Sequence, residues 1–271
     1  MPSLVQDVKA PPERIIRSAK NVTSPVVHLI LREGLSSVFE AMVVAPVAKL
    51  RERGLDTRLV VFAPIGELFR TNLRRRWRSR MDSINQIYNR PVHRLPSPPA
   101  RMQRLWSEAR ILKKWLMSHI GTNKPAILHC RGPEATGLAL QVRQEMPQLK
   151  VIFDMRGLVD AEYLYDREFT PADLLPANVD AEYHRLKQMQ QIALHSADAI
   201  FCVSHAMADH AILRLGARAE DVTVLPCAVA KTDREAGDNR RPIRQRLGIE
   251  DNFVVAFSGG TQRWQMPRQS V

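Results

Sequence analysis

The sequence predicts an α/β fold: a doubly wound, mostly parallel sheet with helices on both faces. Three observations carry that expectation. Short apolar runs alternate with helix-patterned stretches, glycine and serine recur at the junctions, and residues 197–229 hold a complete strand, helix and strand with every boundary marked. In that last stretch Ala199 to Val203 is a strand of the kind buried on both faces, and Ser204 is placed to cap a helix. Ala206, Met207, Ile212, Leu213 and Leu215 supply the helical apolar stripe. Gly216 stops it, and Val222 to Leu225 forms the second strand, ending at Pro226.

The elements follow in chain order. Residues 1–24 carry three prolines and mixed charge and read as a loose leader. Val26 to Leu31 is the first strand, followed by a turn containing Arg32, Glu33, Gly34, Leu35, Ser36 and Ser37. A helix runs from about Val38 to Arg53, with Ser36 or Ser37 as its cap and Glu40 in the position of a capping box. Gly54 ends it, and Leu59 to Phe62 is the next strand. The turn after the first strand is either a ligand contact, since a helix N-terminus offers unpaired N–H groups, or a plain connection.

Residues 63–124 are the least informative. Arg70 to Arg80 and Arg101 to His119 read as helices, with a short strand and a proline-rich loop between them. Ala126 to Cys130 resumes the pattern and runs into Arg131, Gly132, Pro133 and Glu134 at the start of a helix, where proline and an acid are both favoured. Val151 to Phe153 is another strand, released into Asp154, Met155, Arg156 and Gly157. Two consecutive strands thus present Arg-Gly at carboxyl ends, which border the ligand crevice of an open parallel sheet. Arg131 and Arg156 are placed to converge on an anionic group; the alternative for Arg156 is a salt bridge to Asp154 or Asp160.

Residues 160–180, rich in acids and aromatics, read as a lid or acceptor-binding loop, or equally as two short surface helices. Glu162 and Asp166 do not by themselves establish acid/base catalysis. Ala181 to Leu194 is a helix whose Leu186, Met189 and Ile192 form a core stripe. Residues 231–241 are polar and aperiodic, a linker. Pro242 to Leu247 with Gly248 makes a short helix, and Phe253 to Phe257 a strand released into Ser258, Gly259, Gly260 and Thr261.

Composition narrows the class. The 271 residues are 45% hydrophobic, enough for one large domain or two small ones, and no stretch approaches the ~20 apolar residues of a membrane span. With no apolar signal core at the start, a cytoplasmic location is expected. The three cysteines, Cys130, Cys202 and Cys227, sit in or beside strands without metal-ligand spacing and read as buried free thiols. Forty Lys plus Arg against 28 Asp plus Glu give a net charge of +12, which favours anionic partners. Six arginines fall between Arg70 and Arg80, among them Arg74, Arg75, Arg76 and Arg78 around Trp77. They read as a solvated helix face or as a contact with an anionic membrane surface. Nucleic-acid binding is disfavoured, because no zinc-finger, RNA-recognition or helix-turn-helix pattern accompanies them.

Ala197-Asp198 before an apolar strand, Val203-Ser204 at its end, a helix, and a strand closing on Pro226-x-x-Val229 resemble the last part of the N-terminal domain of GT-B glycosyltransferases, in particular the family 4-like retaining enzymes. The resemblance implies a Rossmann-like acceptor-side domain over residues 25–230, a linker and short helix over 231–252, and the first strand of a second domain over 253–271. It places Arg32, Glu33, Gly34, Ser36, Ser37, Arg131, Gly132, Asp154, Arg156 and Gly157 along the acceptor cleft, and Ser258, Gly259 and Gly260 at the turn that meets the donor diphosphate. Where the family often has a histidine after the strand matching VIFDM, this chain has Arg156. The paired-glutamate motif of the second domain is not in the sequence, so the chain is expected to be a truncated half, inactive alone, that transfers a sugar from a nucleotide sugar only when the donor domain is supplied. No cofactor or metal is expected. The acceptor would be a sugar, a lipid or another molecule, with peripheral contact at the inner membrane face. Two readings compete: a non-catalytic binding domain using its basic face on anionic membranes or partners, and a sugar-nucleotide epimerase of the same architecture, which would need acid/base residues in this half.

Overall fold

Strand β1 (Val26–Leu31) shows how the sequence builds the sheet. Its side chains alternate between faces, so Val27 and Leu29 enter one core while Ile30 enters the other. In the computed structural model, residues 23–31, 39–66, 71–99, 107–167, 181–227 and 240–255 are described, with the backbone alone for 71–79 and 240–242. Six more strands join β1: β2 (Thr57–Pro64), β3 (His93–Ser97), β4 (Ala126–Arg131), β5 (Leu149–Met155), β6 (Ala199–Cys202) and β7 (Val222–Val224). They lie in the order β3-β2-β1-β4-β5-β6-β7, every pair parallel. The order reverses between β1 and β4, the switch point at which open sheets of this kind leave a crevice.

Each face has its own core. On one, α1 (π-helical Glu40–Val44 continuing as Ala45–Glu52) and α2 (Thr71–Tyr88) bring Phe39, Val44, Val47, Ile84 and Tyr88 against Ile30, Leu59 and Val61. On the other, α3 (Glu108–His119) and α4 (Gly132–Glu145) pack Leu112, Leu116, Ala135, Ala139 and Val142 onto Val27, Leu29, Leu128 and Val151. Pro46 has no N–H to bond one turn back, and the stretch before it is wound as a π-turn closed by Ala45 N–H on the Glu40 carbonyl. Glu40 does not act in a capping box here: its carboxylate accepts from Arg80 at 2.8 Å. The proposed caps Ser36 and Ser37 lie outside the described residues.

α2 runs about two turns past the expected end at Arg80, because Ile84 and Tyr88 continue its apolar stripe and are fully buried. Tyr88 Oη donates to the carbonyl of Thr57, the first residue of β2, at 2.6 Å. The helix therefore runs back across the sheet, antiparallel to the strands. Around β6 the expected boundaries hold. Ser204 Oγ accepts from Met207 N–H at 3.2 Å, capping α7 (His205–Leu213), and Gly216 takes φ 75°, which a side chain would strain.

Three expectations about burial are corrected. In α6 (Ala181–Ser196) the buried residues are Gln190, Ala193 and Leu194, while Ile192 of the expected core stripe is exposed. In α7 the small Ala208 and Ala211 meet the sheet and Leu213 stays outside, since alanines let a helix approach short strands closely. Cys130 and Cys202 are buried thiols, but Cys227 is exposed, lying past the end of β7.

The chain divides into two compact units. The sheet lies in Met1–Gly157 with Lys187–Ala228; the other unit is Leu158–Leu186 with Val229–Val271. Within the second, α5 (Val159–Asp166) carries Asp160, Glu162 and Asp166, and α8 (Arg240–Leu247) ends in a turn whose carbonyls at Ile249, Glu250 and Asn252 all accept from Arg244 Nη1. The strand expected from Phe253 is not formed at 253–255: these residues pair with no strand, and Phe253 is 94% exposed. A strand without a neighbour has no ladder to hold it. Among the described residues no helix is long and apolar enough to cross a membrane.

Candidate functional site

At the carboxyl edge beside the switch point, β4 passes into α4 without a loop. Gly132 makes the bend with φ 80°, and its carbonyl accepts from Thr136 Oγ1 at 2.8 Å, while Pro133 occupies the first helical turn. The last residue of β4, Arg131, is thereby fixed at the rim beside the positive end of α4. On the next strand its register partner is Asp154. Arg131 Nη1 is 4.0 Å from Asp154 Oδ2, and Arg156 Nη1, two residues on, is 3.7 Å from Asp154 Oδ1. Arg156 Nη2 also donates to Cys227 Sγ at 3.1 Å. Two guanidinium groups from adjacent strand ends thus flank one carboxylate that is 9% exposed.

Beneath this rim, on the same sheet face, lie two histidines in register across β1 and β4: His28 and His129. Their ring centroids are 4.7 Å apart, and the His129 ring also meets Phe201 edge-on at 5.5 Å. His129 Nε2 is 3.6 Å from Asp154 Oδ2. His28 is buried and its Nε2 has no hydrogen-bond partner. Burial, and secondarily the neighbouring imidazole, drives its pKa well below the usual histidine value, so it is neutral at neutral pH. The charge of Asp154 reaches further. Burial and then Asp154 raise the Cys130 thiol far above its ordinary value and push Cys202 up to about 11.

These spacings differ from those of the ion pairs that tie the fold together. At the amino edge Asp198 accepts from Arg143 and Lys150 at 2.8 Å each and from Val151 N–H at 2.9 Å, and Asp56 binds Arg90 at 2.7 Å and Arg58 at 3.1 Å. Those are hydrogen bonds. The contacts of Asp154 with Arg131, Arg156 and His129 are longer, so the charges are gathered without being locked together.

Of the cleft residues expected from the sequence, the structure brings Arg131, Gly132, Asp154, Arg156 and Gly157 to one rim. Arg32, Glu33, Gly34, Ser36 and Ser37 lie outside the described residues, as do Ser258, Gly259 and Gly260; β1 ends at Leu31 on the same edge, next to β4. Arg74, Arg75, Arg76, Trp77 and Arg78 sit in the first half of α2. The alternative partner of Arg156 resolves to Asp154. His28 and His129 were not singled out from the sequence; the available signal was a lone histidine in each of two otherwise apolar strands, VVHLIL and AILHCR. In the second unit, burial first and then Asp166 and Asp160 raise the Glu162 pKa. Among the described residues, one pocket of about 490 Å³ lies between α4 and α6 and another of about 300 Å³ at the amino edge near Arg58 and His93. Among the described residues no three His, Cys, Asp or Glu side chains are grouped to hold a metal ion.

Comparison with known proteins agrees with this architecture. The profile of the glycosyl transferase 4-like domain family matches residues 40–228. A solved glycosyltransferase from Rickettsia africae ESF-5 shares the fold at 10% sequence identity and a TM-score of 0.50, over 85% of this chain and 51% of that one. The chain thus spans about half the length of that structure. Among curated proteins none matches. With the family profile covering most of the seven-stranded parallel sheet, the chain belongs to the glycosyl transferase 4-like domain family, with the Rossmann-like fold of a GT-B glycosyltransferase domain.

Proposed function

We propose that this chain is the acceptor-side part of a cytoplasmic, retaining glycosyltransferase that moves a sugar from a nucleotide sugar to an acceptor, with the donor site supplied by a further domain. The observation that carries the reading is the convergence of Arg131, Asp154 and Arg156 within 4.0 Å at the rim beside the switch point. Arg131 and Arg156 both present guanidinium groups at this rim, and a guanidinium binds phosphate or carboxylate oxygens through paired N–H groups. Gly132 and Gly157 bring no side chain to the rim. In this reading Ser258, Gly259 and Gly260 open the donor side, and the chain alone does not turn over.

Transfer of labelled sugar from a panel of nucleotide sugars, measured for the chain alone and with a donor domain joined at its end, tests the proposal. Transfer should need the added domain, retain the anomeric configuration, and fall by about a hundredfold or more in Arg131→Ala and Arg156→Ala. Tight, selective nucleotide-sugar binding by the chain alone would place the donor site here and overturn the division of labour.

A second reading is favoured by the course of α2. Because the helix runs antiparallel to the strands, its arginine-rich first half lies toward the carboxyl edge, the edge of the candidate site. That placement suits a contact with anionic lipid beside the acceptor cleft. Co-sedimentation with phosphatidylglycerol vesicles that is lost when Arg74, Arg75, Arg76 and Arg78 become glutamine would support it, and equal binding by that variant would end it.

A further inference from the structure

We propose that the pocket of about 300 Å³ at the amino edge of the sheet is a binding site for a single phosphate-like oxyanion, held between Arg58 and Arg90. It lies at the opposite end of the strands from the Arg131 and Arg156 rim, and it stands independently of the acceptor reading.

Its walls are Thr57, Arg58, Tyr88, Arg90, Pro91 and His93, where β2 and β3 begin and α2 ends. A space of this size is at the small end of ligand pockets, which suits a compact ligand. Three guanidinium groups meet at this corner. Arg58 Nη2 and Arg90 Nη1 donate to Asp56 Oδ2 and Oδ1 at 3.1 and 2.7 Å, and Arg51 Nη1 donates to the carbonyls of Tyr88 and Asn89 at 3.0 and 2.5 Å. Asp56 is the one carboxylate bonded to them among the described residues, so three fixed positive charges face one negative charge. Burial works against the ionisation of Asp56, but the bonds from Arg90 and Arg58 prevail and hold its carboxyl below the usual range. His93 adds no charge at neutral pH, because burial, and then His119 and Arg58, lower its pKa.

Donors outnumber acceptors here as charges do. Arg58 spends Nη1 on the His119 carbonyl at 2.5 Å and Nη2 on Asp56, while its Nε is buried without a partner; Arg90 spends Nη1 on Asp56. Each guanidinium carries more N–H groups than these contacts use. The other polar groups of the wall are already engaged: Tyr88 Oη donates to the Thr57 carbonyl at 2.6 Å, and Thr57 Oγ1 to the Val47 carbonyl at 3.4 Å. What the pocket offers a ligand is therefore two arginine forks, one from β2 and one from the turn before β3, that share a carboxylate and keep N–H groups in reserve. Phosphate oxygens can accept from both forks while Asp56 stays in place, whereas a cation would be repelled. Because Arg58 also holds the last residue of α3 through the His119 carbonyl, an anion seated here braces α2, β2, β3 and α3 together, and its binding reads out as stability.

Thermal unfolding of the purified chain in sulfate, inorganic phosphate or chloride, at equal ionic strength and about pH 7.5, measures the site. Sulfate and phosphate should raise the melting temperature above that in chloride in a saturable way. Arg90→Gln should weaken this response about tenfold. Asp56→Asn separates binding from structure: losing the carboxylate should lower the melting temperature in chloride, yet tighten sulfate binding by about threefold or more. Histidine-selective NMR locates the anion, since bound sulfate should raise the pH at which His93 titrates by offsetting the charge of Arg58. Glycerol 3-phosphate distinguishes the sources of the group: tighter binding than inorganic phosphate assigns the pocket to a phosphomonoester, and equal or weaker binding assigns it to free phosphate. A melting temperature indifferent to sulfate, a response unchanged in Arg90→Gln, or weaker sulfate binding by Asp56→Asn would each overturn the proposal.

Discussion

Arg131 and Asp154 face one another across β4 and β5, with Nη1 4.0 Å from Oδ2 at the rim where both strands end. The carboxylate is the counter-charge for Arg156 as well. Asp154→Ala should therefore leave two cations facing each other and cost about 1–3 kcal/mol in urea unfolding, with Asp154→Asn milder. The same change should lower the Cys202 thiol pKa from about 11, since Asp154 is the second cause of its elevation after burial.

Asp198 fixes the opposite edge. Burial works against its ionisation, but bonds from Lys150 and Val151 and the charges of Lys150 and Arg143 prevail and hold its carboxyl below the usual range. A depressed carboxylate stabilises the fold above its unfolded pKa and loses that contribution as pH falls through the folded value. Asp198→Asn should cost about 1–3 kcal/mol at neutral pH, and the deficit should shrink when unfolding is measured below about pH 4.

Tyr88 behaves in the other direction. Its phenol is raised above the ordinary tyrosine value chiefly by burial, opposed by its bond to Thr57. A raised pKa means stability that is present below the unfolded value and lost as pH rises through the folded one. Tyr88→Phe should cost about 1 kcal/mol at neutral pH and abolish the part of the alkaline unfolding limb above about pH 10 that comes from this residue.

Glu162 should show the reverse of Asp198. Burial, then Asp166 and Asp160, raise its pKa, so its ionised form burdens the fold once pH has risen past the usual carboxylate range. Glu162→Gln should raise the melting temperature at pH 7, by no more than about 1 kcal/mol of stability given its partial exposure, and should change nothing near pH 4. A loss of stability at pH 7 would contradict the assigned cause.

What could be seen in the sequence follows from where the signals are local. β1, the Ser204 cap and the Arg-Gly endings after β4 and β5 are each written within a few residues, and each is found as expected. The Ala197-Asp198 pattern was recognisable without its use; only the structure shows Asp198 gathering the ends of α4, β5 and β6. His28 and His129 could not be paired beforehand because their register depends on β4 inserting beside β1 after β2 and β3 have gone to the other side. The burial of Gln190 in place of Ile192 is likewise a matter of which side of α6 meets the sheet, which the helical period leaves open when apolar residues occur on both.

The placement of β1 has a consequence for how the protein is made. Its partner β2 emerges soon after it, but β4, which covers its other edge, follows about a hundred residues later. At roughly 5–20 residues per second of synthesis, that edge waits on the order of 5–20 s with open backbone groups beside Val27, Leu29 and Ile30. A strongly apolar strand is thus exposed to other chains during translation, and the nascent polypeptide is a candidate for chaperone capture over the interval between β2 and β4.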